Sequence, residues 1–260
     1  MKIATWNVNS IRQRRDHVVD WLTREQPDVL FLQEIKCEAH GFPADAFEAA
    51  GYRSEVVGQK AYNGVAALSR VPIEITARAL PTLPESADGA PHQARYVELR
   101  TGGMVAGGLY LPNGGSGGPA GFRAKLDWMD ALHRHAQALL AAGTDFVLLG
   151  DYNVCPTDED LAPGALPPDD ALVHPEVRSR FRALSWLGLT DAVRALRPSG
   201  RIYTFWDYQN GCWPQDRGLR IDHAMCSPRI AERVVSATPD RAERDRPSPS
   251  DHVPVLVTLG

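Results

Sequence analysis

The sequence predicts an α/β fold of four layers, two packed mixed β-sheets flanked by helices. Two apolar runs carry that prediction, "DVLFLQE" at 28–34 and "DFVLLGDYN" at 145–153, each the length of a buried strand and each ending in a carboxylate. Each follows an amphipathic helical stretch that is itself preceded by a strand-like one, so a βαβ-like pattern occurs twice. Shorter strand candidates at hairpin spacing lie between and after these units. Sequential and hairpin-spaced strands interspersed with helices argue for two sheets packed face to face, with the helices outside.

In chain order, "KIATWNV" alternates as a strand does, and "SIRQ" at 10–13 fits the capping box that opens a helix. Ile11, Val18, Val19 and Leu22 share one face of that helix, which Pro27 ends before "DVLFLQE". "YRSEVV", "NGVAALS" and "ARYVELR" are the next strand candidates, and "MVAGGLYLPN" opens the second unit. A glycine-rich loop, "GGSGGPAG", leads into a helix with Phe122, Leu126, Met129, Leu132, Ala136 and Leu140 on one face, closing near Gly143. "DFVLLGDYN" is followed by a Pro/Asp-rich loop at 156–170, a helix after Pro175, and strand candidates "IYTFWDY", "RIDHAMCS" and "VPVLVTL". No linker divides the chain, so residues 1–260 read as one domain. The glycine loop at 114–121 and "PDRAERDRPSPSD" are the segments expected to be mobile.

Composition excludes several classes. A net charge of −4 over 260 residues gives no global basic signal for nucleic acid. Local basic patches and bound divalent cations would have to neutralise phosphates instead. No apolar run approaches the length of a membrane span or signal segment, so a protein without membrane contact is expected. Cys37, Cys155, Cys212 and Cys226 are far apart and form no C-x-x-C, which fits the reduced thiols of a cytoplasmic protein. P-loop, H-E-x-x-H and zinc spacings are missing. "GGSGG" at 114–118 matches the nucleophile-elbow pattern, and Ser116, Asp151 and His252 follow a hydrolase order. That chemistry needs the serine on a tight strand-to-helix turn, whereas Ser116 sits among glycines beyond Pro112 and Asn113.

The polar residues at strand ends are more informative. Asn7 ends the first strand, Glu34 the second, Tyr110 and Asn113 the third, and Asp151 and Asn153 the fourth, with Asp222, Asp251 and His252 further on. Singly, each has a bland explanation as a turn cap, an edge charge or a core tyrosine. Jointly they form a hard-oxygen cluster suited to Mg²⁺ or Mn²⁺. An acid set without a lysine nearby would repel itself unless a cation sat within it.

"WNVNSIR", "LQE", "YNGVAALS", "YLPNG", "GDYNV", "TFWDY", "GLRIDH" and "SDHVPV" follow one another in the order of known motifs. On these eight the chain resembles the exonuclease III class of AP endonucleases, within the endonuclease/exonuclease/phosphatase superfamily, from residue 1 to about 258. The GDxN and SDHxP pieces alone would indicate only the superfamily. "YLPNG", "TFWDY" and "GLRID" point to the branch acting on abasic DNA.

The resemblance implies residue roles. Asn7 and Glu34 are expected as metal contacts, Asp251 beside them directly or through water, with Asp151, Asn153 and His252 as further candidates. Asp151 handles a proton and Asn153 steadies a phosphate oxygen. His252 is held by Asp222 in an Asp–His pair that fixes its tautomer. Tyr110 contacts phosphate or donates a proton, and Asn113 contacts DNA. Phe205, Leu219 and Ile221 line a pocket for a base-less sugar that Trp206 supports, although core packing explains these apolar residues as well. Lys125 and Arg220 are expected at phosphates, a solvated face being the alternative for Lys125. The implied activity is Mg²⁺-dependent cleavage of duplex DNA 5′ to abasic sites, with 3′→5′ exonuclease or 3′-end trimming, by a monomer. Asp151 and His252 both remain candidates for the base, and one or two metals could act. Two departures bear on the balance of activities: the small residues after "YLPNG", and the acidic start of "VCPTDEDLAPGALPPDDALVHPEV". A dedicated 3′→5′ exonuclease, or another phosphodiesterase or phosphatase of the superfamily, is the alternative.

Overall fold

The computed structural model describes residues 1–84 and 92–260. In order, the elements are β1 (Lys2–Asn7), α1 (Ile11–Glu25), β2 (Val29–Gln33), α2 (Ala44–Ala49), β3 (Arg53–Val57), β4 (Val65–Ser69), β5 (Glu74–Ala77) and β6 (Tyr96–Thr101). They continue with β7 (Met104–Tyr110), α3 (Gly118–Ala141), β8 (Phe146–Asp151), α4 (Pro175–Trp186), β9 (Thr190–Asp191) and α5 (Ala192–Leu196). The chain closes with β10 (Asp222–Cys226), α6 (Pro228–Ala231), β11 (Val234–Pro239) and β12 (Val255–Leu259).

Two six-stranded sheets result, ordered β11-β12-β1-β2-β4-β3 and β5-β6-β7-β8-β10-β9. Each centres on a parallel pair, β1 with β2 and β7 with β8, and its other pairings are antiparallel. The two orders are therefore one pattern used twice, with β1, β2, β3 and β4 matching β7, β8, β9 and β10. The twin βαβ reading holds at this level and extends to whole sheets.

Alternation explains the layers. Ile3, Val29 and Phe31 of the first sheet meet Ala106, Val147 and Leu149 of the second in the central core. The opposite faces of the same strands take helices. Trp6, Leu30 and Leu32 pack with Val18, Trp21 and Leu22 of α1, and Leu109 and Leu148 with Leu126, Met129 and Leu132 of α3. Close approach of the sheets depends on Gly108, where a Cβ would fall 2.1 Å from Cδ1 of Phe31.

Several sequence expectations need correction. "IYTFWDY" is no strand; Phe205 makes only isolated bridges to two separate segments, at Leu219 and His252, so no ladder forms. Ser10 makes no side-chain cap on α1; its φ of 89° departs from the extended geometry usual at a cap. The stretch 239–251 contains a 3₁₀ turn at Arg241–Asp245 whose Glu243 and Arg244 are buried. Within the glycine loop, Gly118 already begins α3 with Pro119 in its first turn, and Gly114 is buried. Among the described residues no helix is long and apolar enough to cross a membrane.

Candidate active site

The parallel pairs deliver their polar ends to one place. Tyr110 stands opposite Asp151 in the β7–β8 register, and Asp222 opposite Asp151 in the antiparallel β8–β10 register. Asp222 reaches the common edge by starting a strand there rather than ending one. Across the sheets, the Asn7 amide joins the two halves, donating to Glu34 Oε1 and Asp151 Oδ2 at 2.9 Å each. Tyr110 Oη also donates to Glu34 Oε1, at 2.9 Å.

Glu34 and Asn153 follow their strands with left-handed backbone, φ 50° and 49°. Such conformations cost energy in a glutamate especially and cluster at functional sites. They turn the chain abruptly so that the side chain stays at the sheet edge. The Asn153 amide N–H donates to Asp151 Oδ1 at 2.9 Å, its Oδ1 accepts from Asn113 Nδ2 at 3.0 Å, and its Nδ2 donates to Leu111 O at 2.9 Å. One Asn153 side-chain N–H stays free of these bonds.

His252 Nδ1 pairs with Asp222 Oδ2 at 2.9 Å, and its Nε2 lies 3.7 Å from Asp151 Oδ2. Burial opposes protonation of this imidazole, but the Asp222 and Asp151 charges outweigh it and push its pKa well up. Burial likewise drives the Asp151 carboxyl up from the usual carboxylate range, with His252 pulling the other way and Asp222 adding to the rise. Glu34 is different. Burial disfavours its charge, yet the Asn7 amide and the Lys36 ammonium more than offset that and hold it below its ordinary range. Tyr110 is raised, chiefly by burial, and stays a donor.

Two oxygen-rich sets could hold a cation. Asp151, Asp222 and His252 place ligand atoms within 4.8 Å of one another, and Asp222 Oδ1 is buried without a partner. Their side chains are at most 5% exposed, so this set is closed to solvent. The Glu34 side chain is 20% exposed and shares the Asn7 amide. A hard cation that keeps several waters fits the open set better. Asp251 accepts from Asn9 Nδ2 at 3.1 Å and lies beside this set without bonding Glu34 or Asn7.

Phe205, Leu219 and Ile221 do come together. With Leu161, Ala165 and Leu166 they form an apolar wall, and the Phe205 ring centroid lies 4.9 Å from that of His252. Trp206 is fully buried in a neighbouring cluster with Tyr203 and Val253, its Nε1 donating to Asp216 Oδ1 at 3.0 Å, so its ring offers DNA no open face. Asn113 is exposed beside Asn153, where a DNA contact is open to it.

Lys125 and Arg220 are placed against their expected role. Lys125 is 0% exposed, and its Nζ donates to the backbone carbonyls of Asn113 at 2.9 Å and Asn153 at 2.6 Å. Burial lowers its pKa to about 7. Arg220 is spent on Asp160 and Asp191 in the interior. Both side chains are committed to partners inside the fold. The site also contains a lysine that the sequence reading overlooked: Lys36 Nζ lies 2.9 Å from Glu34 Oε2. Its signal was its place two residues past Glu34 in "LQEIK". Ser250, whose Oγ donates to Asn7 O at 2.7 Å, is the serine of the "SDH" motif, and Thr204 Oγ1 accepts from Asp222 N at 3.2 Å. Arg95, stacked 4.6 Å over the Tyr110 ring, carried no sequence signal.

Known proteins share this arrangement. Exodeoxyribonuclease III of Haemophilus influenzae is 31% identical, with 98% of each chain covered. The solved structure of an AP endonuclease from Archaeoglobus fulgidus superposes with a TM-score of 0.90 at 32% identity, covering 100% of this chain and 99% of that one. A 3′ phosphatase, NExo, from Neisseria, solved bound to a product DNA hairpin, gives a TM-score of 0.91 at 35% identity over 100% and 99%. The model of the Endonuclease/Exonuclease/phosphatase family matches residues 4–252. With its polar strand ends gathered at one place and this match spanning nearly the whole chain, the protein belongs to the endonuclease/exonuclease/phosphatase family.

Proposed function

We propose that the protein is a Mg²⁺-dependent DNA-repair phosphodiesterase of the exonuclease III type. It cuts duplex DNA 5′ to abasic sites and trims 3′ ends, acting as a monomer in the cytoplasm. The observation that carries this reading is the convergence of Asn7, Glu34, Tyr110, Asp151, Asp222 and His252 beside an apolar wall.

Hydrolysis here adds a water oxygen to phosphorus and breaks the P–O3′ bond, leaving a 3′-hydroxyl and a 5′-phosphate. Glu34, Asn7 and Asp251 would hold the cation, which supplies Lewis-acid charge at the phosphate; Mn²⁺ has the same oxygen chemistry. Asp151 is the better base. Burial raises its carboxyl toward neutrality, whereas the Asp222 and Asp151 charges favour the protonated form of the His252 imidazole. His252, kept in one orientation by Asp222, instead donates from Nε2 to a phosphate oxygen as negative charge grows. The free Asn153 N–H and the Tyr110 hydroxyl hold the remaining oxygens, and the apolar wall receives a sugar without a base.

A 3′-end processing enzyme with no abasic cleavage is the second reading. It is favoured by the small residues at 114–118 and by the 35% identity to the Neisseria 3′ phosphatase. Incubation with a duplex carrying one abasic analogue and with a duplex ending in a 3′-phosphate, each in Mg²⁺ and in EDTA, separates the two. Mg²⁺-dependent incision at the analogue is expected; its absence beside active 3′-phosphate removal selects the second reading. Asp151→Ala should lower kcat by at least about 10³-fold with DNA affinity kept, as measured by single-turnover cleavage and anisotropy.

A further inference from the structure

Arg220 follows the wall residue Leu219 and precedes Asp222 by two positions, yet it is buried and bonds no residue of the catalytic cluster. Its Nε donates to Asp160 Oδ1 at 2.7 Å and its Nη1 to Asp191 Oδ2 at 2.7 Å. Arg194 Nη2 donates to the same Asp160 oxygen at 2.5 Å, while Thr157 N and Oγ1 bond Asp160 Oδ2 at 2.9 and 2.8 Å. Four donors fill the capacity of that carboxylate. His223 Nε2 donates to Val154 O at 2.8 Å, which leaves its Nδ1 to face Arg220 Nη1 at 3.0 Å. A buried ion pair of this kind is weak evidence for stability, because desolvation offsets its attraction. What it secures is geometry.

The pair fastens two distant segments edge to edge. Asp160 O accepts from Arg220 N at 2.7 Å, Leu161 bridges Leu219, and Ala162 N donates to Gly218 O at 2.9 Å. This rung sets Leu161, Ala165 and Leu166 against Leu219, Ile221 and Phe205. The acidic segment after "GDYNV" is thereby the outer half of the wall, with Asp160 turned inward as its anchor.

We propose that Arg220 and Asp160 are positioning residues for substrate selection: they hold the 157–166 segment in place as the wall that receives a base-less sugar, without touching substrate. The inference rests on the abasic-DNA reading above. An internal abasic sugar must leave the duplex to meet the wall. A 3′-terminal phosphate already lies at a strand end and needs the wall less, so loosening the pair should separate the two activities.

The test uses the full chain with Mg²⁺, comparing wild type with Thr157→Val, Arg220→Lys and Leu161→Ala. Thr157→Val removes one of the four bonds to Asp160, and Leu161→Ala alters the wall with the pair intact. On a duplex with a tetrahydrofuran abasic analogue, KM should rise roughly tenfold in each variant with kcat within about twofold. On a duplex with a recessed 3′-phosphate, both constants of Thr157→Val and Arg220→Lys should stay within about twofold of wild type. Circular dichroism identifies the variants that fold, and if Arg220→Lys does not, the other two decide. Equal losses on both substrates, or no change on either, overturn the inference while leaving the functional reading standing. A wild type that fails to cut the abasic analogue overturns the reading, and the inference with it.

Discussion

Each charged residue of the site is defined by what surrounds its charge. Asp222 orients His252 and raises its pKa, so Asp222→Asn should both weaken and re-time the reaction. Removing the partner lowers the His252 pKa, so the protonated imidazole is lost at lower pH. The basic limb of the kcat–pH profile should therefore move to lower pH, with the plateau reduced by on the order of 10²–10⁴-fold. An unshifted profile would sink this assignment. Lys125 makes the companion case. As a clamp on two carbonyls rather than a phosphate contact, Lys125→Met should cost about 1–3 kcal/mol in stability. It should lower kcat through Asn153 and leave the salt dependence of DNA binding unchanged; a shallower salt slope would restore the phosphate role. Lys125 was visible as a charge in the sequence, but its burial was not, because it depends on chain that arrives from elsewhere.

At the scale of elements, the repeated strand order places two parallel pairs face to face, so that the ends of β1, β2, β7 and β8 converge. This was legible early, since apolar runs and their polar termini are local signals. The sheet spacing was not, and it depends on Gly108 against Phe31. Gly108→Ala should overpack that contact and lower stability by about 1–3 kcal/mol, read from the urea midpoint. A midpoint equal to wild type would mean that the sheets are free to part there. "IYTFWDY" shows the reverse failure: β-favouring residues follow one another, but Phe205 and Trp206 serve opposite neighbours, His252 and Asp216, and no ladder forms.

Taken as a whole, the molecule also ties its second sheet to α3 with a buried polar knot. Glu98 accepts from Tyr96 Oη and Thr76 Oγ1 at 2.7 Å each and pairs with His135 Nε2 at 2.6 Å. Burial works against the Glu98 charge, but these partners, His135 first, outweigh it and lower its pKa. A depressed carboxyl contributes stability above its unfolded value, about 4.3, and loses it as pH falls through the folded one. The stability difference between wild type and Glu98→Gln should thus be full at pH 7 and shrink below about pH 4.3, as followed by melting temperature against pH. A difference that grows on acidification would refute the linkage.

The sequence by itself determined the four-layer class, the twin units and the roster of strand-end acids and amides. These follow from periodicity and from the residue types that end a strand, all within a dozen positions. Only the tertiary structure decided that Asn7 bridges Glu34 and Asp151, and that Lys125 and Arg220 point inward. Those outcomes turn on burial and on partners far apart in the chain, Asn7 with Asp151 or Asp160 with Arg220. The free energy of a charge depends on its surroundings, and no local pattern encodes them.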